Sequence, residues 1–216
     1  MKVAAISGMA AGPLVLVVGV IGTVAQPDGF DFVEHPTSDL GADSANMAGF
    51  SNLIGSVLPG LLLLVFTYGL WKSLASTRSG RIGTLLIGVV AIGIVVTGIA
   101  NEDCREMDPG CSNDSAEIVV HLIAALLSGL CLLISPFVLA RSMRWVPAWQ
   151  DLRRPTLVLG AITVVGTVGG SAIGAGLGAY TAFVPWFAWI ILLSRRMATL
   201  DGGDQAAPSM PPATGP

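Results

Sequence analysis

Long apolar runs separated by short polar segments limit most strongly what this chain can fold into. A run of about 18 or more apolar residues crosses a bilayer core of roughly 30 Å as a helix, because a helix satisfies its own backbone hydrogen bonds. The last apolar stretch before Arg195 is long enough to cross and return, with a turn near 171–178. The earlier runs cover 9–25, 48–71, 83–100 and 118–140. The sequence therefore predicts an all-α fold, an integral membrane bundle of six transmembrane helices.

The composition agrees with this interpretation. Hydrophobic residues make up 53% of the 216 residues and charged residues 12%, and the mean hydropathy of +0.75 lies outside the balance of a soluble domain. The six predicted helices and their connections occupy 1–197. The remainder, 198–216, is rich in Pro, Gly and Ala and is predicted to be a disordered cytoplasmic tail. No length remains for a soluble catalytic domain.

The first apolar run admits a second interpretation. Lys2, the run 13–21 and the small residues Thr23-Val24-Ala25 resemble a secretory signal with a cleavage site. We favour an uncleaved span, because the five later spans need this helix to complete a compact bundle. Cleavage would leave the orientation of the later helices unchanged.

The charges are distributed unequally between the two predicted faces of the bundle. Ten of the eleven Lys and Arg residues fall on one face, and only Arg105 falls on the other. Eleven of the fourteen acidic residues share the face with Arg105. Because basic loops stay in the cytoplasm, both termini are predicted to be cytoplasmic, in the plasma membrane. The acidic segments 26–47 and 101–117 are then predicted to lie outside.

His121 is the strongest functional candidate in the sequence. It lies one turn inside the fourth apolar run, where an ionisable side chain is costly unless it meets a partner or a wet cavity. A neutral imidazole donates from one nitrogen and accepts at the other, so Asp39 or Asp103 could fix its tautomer. With Ser38 and Asn52, these residues form a predicted ligand-binding or structural polar site near the outer leaflet. The structural interpretation is a hydrogen bond that ties the fourth span to an outer loop.

Two catalytic interpretations of the same region stay open. His35, Asp39, Asp103 and His121 could hold zinc and activate water for hydrolysis. The chain lacks close pairs such as His-x-x-x-His or Cys-x-x-Cys, however. Ser38, close to His35 and Asp39 in the chain, could act as a nucleophile, but Ser-Asp is also an ordinary turn pair. We therefore assign no catalytic residue and expect no cofactor, with zinc as the alternative.

Cys104 and Cys111 lie in the second acidic segment with six residues between them. Outside the cytoplasm disulfides form and persist, so we expect this pair to be oxidised rather than free. The short closed loop would hold the end of the third span near the start of the fourth. Cys131, inside the fourth run, is interpreted as packing.

Gly166, Gly170, Gly174 and Gly178 recur at every fourth position. Such spacing lets two helix backbones approach closely, within one chain or between two copies. Because the last two glycines fall where the chain is predicted to turn, we interpret the pattern as close packing plus a tight turn. A homo-oligomer is the alternative.

Several classes of function lack their sequence signals. No phosphate-binding glycine loop, dinucleotide fingerprint or haem motif is present. The basic face carries Arg144, Trp145, Trp149, Arg153 and Arg154, which suit membrane anchoring and could also attract anionic headgroups. The predicted partners are therefore membrane lipids, and no nucleic acid is expected.

Three short motifs together resemble a known family. They are Ser38-Asp39-Leu40-Gly41 before the second span, Gly98-Ile99 leading to Asp103-Cys104 after the third, and His121 opening the fourth. In this order, and with the six-span layout, the chain resembles over about residues 10–196 the bacterial and archaeal multi-pass membrane family catalogued as domain of unknown function 998. Ala100-Asn101 departs from the Phe-Pro that relatives tend to carry after the third span.

That family is similar in turn to the eukaryotic six-span group that includes the damage-regulated autophagy modulators. The members of this group share a Ser-Asp motif outside the second span and a later histidine. They are associated with lipid organisation and membrane trafficking rather than with an established reaction. The resemblance therefore implies the fold more than an activity.

Polar groups converge on the predicted outer-leaflet site without a recognisable catalytic set. We therefore expect a non-enzymatic function, the binding or organising of a lipid or other amphiphile. The first alternative is a membrane-embedded metal-dependent hydrolase that uses His121, Asp103 and Asp39. The second is a small transporter in which His121 moves protons, although transport sites usually lie near the membrane midplane, where this sequence has no ionisable residue.

Overall fold

Six long helices make up the fold. The computed structural model describes residues 1–26 and 29–203, and the regular elements within these ranges are all helical. The long helices are α1 (Lys2–Ala25), α2 (Ala48–Leu74), α3 (Arg78–Thr97), α4 (Ala116–Met143), α5 (Arg153–Ser171) and α6 (Ala175–Gly203). Two short 3-10 helices, Thr37–Gly41 and Pro147–Leu152, lie in the connections. The all-α prediction is confirmed for the described residues.

Five of these helices, α1 to α4 and α6, are long and apolar enough to cross a membrane. They point to a multi-pass membrane protein. The predicted turn near 171–178 is found at 172–174. The third predicted run, 83–100, extends too far, because α3 ends at Thr97 and the chain then turns.

The C-terminal helix continues past the predicted end of the membrane domain. Its last residue is Gly203, whereas the sequence placed the boundary at 197. The rest of the predicted tail, 204–216, lies outside the described residues, as does Asp28 of the first acidic segment.

The six helices form a closed ring. Each helix packs against its neighbours in the chain, and α6 also packs against α1. We call the end of the ring that carries 29–47 and 98–115 the acidic end, and the opposite end, with 75–77 and 144–152, the basic end. Because the helices surround a common axis, space can remain between them wherever side chains do not meet.

The contact between α1 and α6 depends on small residues. A Cβ atom at Gly12 would lie 2.7 Å from Cβ of Phe187, and one at Gly8 would collide with the Ser194 hydroxyl. Glycines at these positions let the two helices approach closely enough to close the ring.

The hairpin of α5 and α6 also depends on glycine. A Cβ atom at Gly166 would lie 2.7 Å from the carbonyl oxygen of Thr181, and one at Gly174 would lie 2.2 Å from that of Val33. The first contact brings α5 against α6, and the second packs the turn against the loop that follows α1. The interpretation of these glycines as close packing plus a tight turn is confirmed.

The start of α2 departs from a regular α-helix. Residues Leu53–Val57 form a π-helical turn. Pro59 has no amide hydrogen to donate to the carbonyl of Gly55, four residues earlier, and a wider turn accommodates the missing bond. Gly55 and Ser56 thereby lie on the wall of an internal cavity.

Large side chains fill the ring from its middle to the basic end. Trp186 and Trp189 of α6 are fully buried, with ring centroids 6.1 Å apart in an edge-to-face arrangement. The Trp186 indole donates to the Ser135 hydroxyl at 3.4 Å, and the Trp189 indole donates to that of Thr156 at 3.1 Å. These bonds join α6 to α4 and α5. Inside a lipid bilayer, packing and hydrogen bonds rather than the hydrophobic effect hold helices together.

Candidate functional site: a central cavity at the acidic end

An internal cavity of about 400 Å³ occupies the acidic half of the ring. All six helices and the 3-10 helix Thr37–Gly41 contribute to its wall. This central cavity lies within the roughly 300–1,000 Å³ that is usual for ligand pockets. It is large enough to hold a small amphiphile or one lipid chain.

The wall of the central cavity changes from polar to apolar along the ring axis. The polar side chains at the acidic end include Thr37, Ser38, Ser51, Asn52, Thr97, Asn101, His121 and Ser171. The apolar side chains farther in include Val15, Val90, Leu132, Phe183 and Phe187. Among the described residues of the wall, none is Asp, Glu, Lys or Arg. The cavity therefore has one polar end, where His121 is the wall residue that can become a cation, and one apolar end.

Several hydroxyl groups of the wall are already occupied by their own helices. Thr97, Ser128 and Thr167 donate to the carbonyl oxygens three or four residues earlier, at 2.6–3.1 Å. Such bonds satisfy the hydroxyl hydrogen within the helix. These three hydroxyls therefore have no hydrogen left to donate to a ligand.

His121 joins α4 to the turn that follows α3. Its Nδ1 lies 2.7 Å from the carbonyl oxygen of Ala100, and because a carbonyl only accepts, Nδ1 must carry the proton and donate. Its Nε2 lies 3.5 Å from Oε1 of Glu102, a contact that attracts when a proton lies on Nε2 or on the carboxyl. Both side chains are buried. His121 thereby satisfies a carbonyl near the end of α3, where helical partners run out.

These partners differ from the predicted ones. The sequence suggested Asp39 or Asp103 as the partner of His121, and neither makes a hydrogen bond to it. Asp39 Oδ1 accepts from the amide of Glu106 at 3.3 Å, and Asp103 Oδ2 accepts from that of Ser115 at 3.2 Å. Asp103 therefore stabilises the start of α4, where carboxylates are favoured.

Asp39 lies behind the wall of the central cavity rather than in it. It is completely buried, and its Oδ2 has no hydrogen-bond partner among the described residues. Burial raises the pKa of its carboxyl to about 6; the Glu106 amide opposes this, whereas the carboxylates of Glu102 and Glu106 add to it. Ser38 and Leu40, on either side, do line the cavity.

Asn52 links α2 to both acidic-end segments. Its Nδ2 donates to the Gly41 carbonyl and to Asn101 Oδ1, both at 2.8 Å. Asn101 in turn donates to Asp43 Oδ1 at 3.0 Å. A Cβ atom at Gly41 would lie 2.1 Å from Asn52 Oδ1, so only glycine fits there. The Ser-Asp-Leu-Gly motif thus ends in a glycine because Asn52 approaches its backbone.

Arg105 holds the two acidic-end segments to the end of α1. Its side chain is buried and donates to Gln26 Oε1 at 3.0 Å and to the carboxylate of Asp108. Ser44 donates to the same carboxylate. The bonds from Arg105 and Ser44 lower the pKa of Asp108 to about 2, so it stays charged and paired.

A disulfide joins Cys104 and Cys111, whose Cα atoms are 5.8 Å apart. Asn113 supports the closed loop, because its Oδ1 accepts from the amides of Asp103 and Cys104 at 3.0 and 3.2 Å. Cys131 is a free, partly buried cysteine on α4. The loop is therefore fixed beside the start of α4, where His121 lies.

His35 is not part of the cavity site. It stacks on Phe30 with ring centroids 5.2 Å apart, and its Nδ1 accepts from the Asp31 amide at 2.9 Å. The described residues contain no group of three or more His, Cys, Asp or Glu that could hold a metal ion. The four candidate zinc ligands, His35, Asp39, Asp103 and His121, are thus not brought together.

Four residues of the site were missed in the sequence. Arg105 carried a signal, as the only basic residue on the acidic face. Glu102 and Asn101 carried none, because nothing in the segment separates them from its other polar residues. Ser51 lines the cavity, its buried hydroxyl has no partner among the described residues, and its place in the apolar run 48–71 gave no sign of this.

Fold and site together define a helical protein of the multi-pass membrane type, in which a ring of helices encloses a cavity that is polar at one end and apolar at the other. A comparison with sequence families gives a more specific result. The chain belongs to the family described as protein of unknown function (DUF998), whose profile matches residues 9–196. No curated protein and no solved structure matches the chain. The similarity to the eukaryotic six-span group is not shown by these comparisons.

Asp39→Asn should remove a pH-dependent loss of stability. Because the pKa of Asp39 is about 6 in the folded protein and near 3.8 in the unfolded chain, only the folded state binds a proton between these values. Wild type therefore loses stability as the pH rises from 4 to 6. At pH 7 we expect the variant to be more stable by about 1–3 kcal/mol, and near pH 4 the two should agree.

Reversible unfolding in mixed micelles between pH 4 and 7 measures this difference. Asp114→Asn, at an exposed position, is the matched control and should follow wild type. Parallel pH profiles for wild type and Asp39→Asn would contradict the assignment.

His121→Ala should destabilise the fold more than His35→Ala. The first substitution frees the Ala100 carbonyl and leaves Glu102 buried without its partner, which costs about 2–4 kcal/mol. The second disturbs a local loop contact and should cost less than about 1 kcal/mol.

A double-mutant cycle with Glu102→Ala isolates the pair. Because Glu102 no longer needs a partner once it is removed, the double variant should lose clearly less stability than the two single losses added together. Additive losses of unfolding free energy would show that His121 and Glu102 do not interact.

Proposed function

We propose that this protein spans the membrane six times and binds or organises a lipid or other amphiphile in the central cavity. The observation that carries this proposal is the wall of that cavity, polar at the acidic end and apolar toward the middle of the ring. An amphiphile likewise has one polar part and one apolar part. The proposal involves no metal, cofactor or catalytic residue.

The sixth span is α5, whose composition is less apolar than that of the other helices. Its 19 residues extend about 29 Å, enough to cross a bilayer core. Thr163 and Thr167 donate to carbonyl oxygens four residues earlier at 2.8 and 2.7 Å, so their hydroxyls carry bonds of their own. Because α5 packs between α4 and α6 in the ring, it supports a sixth crossing.

The acidic end lies outside the cell in this proposal. Ten of the eleven Lys and Arg residues belong to the basic end, which the positive-inside rule assigns to the cytoplasm together with both termini. The disulfide between Cys104 and Cys111 supports this orientation, since disulfides persist in oxidising compartments. The polar end of the cavity then lies at the outer leaflet of the plasma membrane.

The gap between α4 and α5 gives the membrane access to the cavity. These helices meet toward the basic end, where a Cβ atom at Gly160 would lie 2.9 Å from Pro136. Toward the acidic end, Ala125 of α4 and Ser171 of α5 line the cavity and are also exposed. Side chains that are both lining and exposed mark an opening toward the surrounding lipid.

Filling the cavity should displace the ligand. Gly129 lines the cavity, and a Cβ atom there would meet no atom within 4 Å. Gly129→Phe should therefore fold normally, occupy cavity volume and reduce co-purifying lipid at least fivefold. Gly169→Phe is the matched control, because a Cβ atom at Gly169 also meets nothing, but this exposed residue does not line the cavity.

Native mass spectrometry with lipid extraction measures bound lipid per protein for wild type and both variants. Thermal unfolding confirms that all three are folded. Wild type without specifically retained lipid, or equal lipid content in Gly129→Phe and Gly169→Phe, would overturn the proposal.

A further inference from the structure

The charged groups closest to the central cavity are paired or turned away from it. Arg105 is bonded to Gln26 and Asp108, and His121, the wall residue that can become a cation, already has the Glu102 carboxyl 3.5 Å from its Nε2. Asp39 contributes nothing to the wall. A buried phosphate, carboxylate or ammonium group of a ligand would therefore lack a compensating charge, which is costly away from water.

The hydrogen-bonding groups that remain free favour a hydroxyl. Asn52 uses Nδ2 for Gly41 and Asn101, which leaves its Oδ1 as an acceptor without a donor among the described residues. The adjacent Ser51 has a buried hydroxyl with no partner. A ligand hydroxyl can donate to Asn52 Oδ1, and the Ser51 hydroxyl, which faces Gly22 of α1, can exchange a bond with that ligand hydroxyl after its side chain rotates. A phosphate offers mainly acceptors and would meet Asn52 Oδ1 unfavourably.

The apolar half of the cavity limits the size of the apolar tail that a ligand can have. Leu132, Phe183 and Phe187 bound this half, and the buried Trp186 closes the ring beyond it. A volume of about 400 Å³ is at the low end of the range for ligand pockets. One acyl chain fits this space better than two.

From these observations, and resting on the proposed function, we infer that the central cavity takes an uncharged lipid with a hydroxyl-bearing head and a single acyl chain, of the monoacylglycerol type. The head lies against Ser51 and Asn52, and the chain extends toward Phe187. The ligand comes from the outer leaflet through the gap between α4 and α5.

Two probes that differ by one phosphate group test the head group. We would titrate the full-length protein, freed of endogenous lipid by detergent exchange, with 1-oleoylglycerol and with 1-oleoyl lysophosphatidate, and follow binding by native mass spectrometry. The two lipids share chain and glycerol, and only the second carries a phosphate. We expect 1-oleoylglycerol to bind at least tenfold more tightly.

The outcomes separate the two proposals. Equal or tighter binding of the lysophosphatidate would overturn the uncharged-head assignment and leave amphiphile binding intact. If neither lipid bound in a way that Gly129→Phe abolishes, the cavity would not be a lipid site and both proposals would fail.

Ser51→Ala tests the head contact directly. The Ser51 hydroxyl has no partner among the described residues, so the substitution should leave the unfolding temperature of lipid-free protein unchanged. Affinity for 1-oleoylglycerol should fall about fivefold, as expected for one lost hydrogen bond. Ser194→Ala is the control, because Ser194 donates to Ile190 at 2.8 Å away from the cavity wall. Unchanged affinity in Ser51→Ala would overturn the assignment of this residue.

Discussion

The close packing of α1 against α6 closes the ring, and the central cavity exists because of that closure. Gly8 and Gly12 let the backbones approach, and Phe187, which meets Gly12, also forms part of the cavity wall. If α1 and α6 separated, the cavity would become a groove open to lipid along one side. Inside a membrane, close packing at small residues holds helices together in place of the hydrophobic effect. Here the same packing also creates the cavity.

At the acidic end, side-chain hydrogen bonds rather than helix packing hold the loops and helix ends together. His121 satisfies the Ala100 carbonyl, Asn52 satisfies that of Gly41, and Arg105 joins two loops to the end of α1. Arg105 is held by these bonds, and Glu102 lies against His121. The acidic side chains of the described residues thus stay out of the cavity wall, although the chain has fourteen of them.

Features that the local sequence determines could be predicted, whereas features that depend on contacts between distant segments could not. Helices α1, α2 and α4 could be predicted because a long apolar run in a membrane has few alternatives to a helix, and His121 could be identified because its burial demands a partner. Glu102 could not be identified as a neighbour of His121, since the path of 98–115 depends on bonds such as those of Asn113 and Arg105. The cavity could not be predicted either, because it results from the ring arrangement and from the angle between α4 and α5.

The account requires that the cavity in the membrane holds an amphiphile rather than closing on itself. A cryo-electron microscopy map of the protein in lipid nanodiscs, with an antibody fragment as a fiducial, measures this most directly. We expect elongated non-protein density from the level of Ser51 and Asn52 toward Phe187. A map in which α1 and α6 stand apart, or in which side chains fill the cavity and no such density is present, would contradict the account.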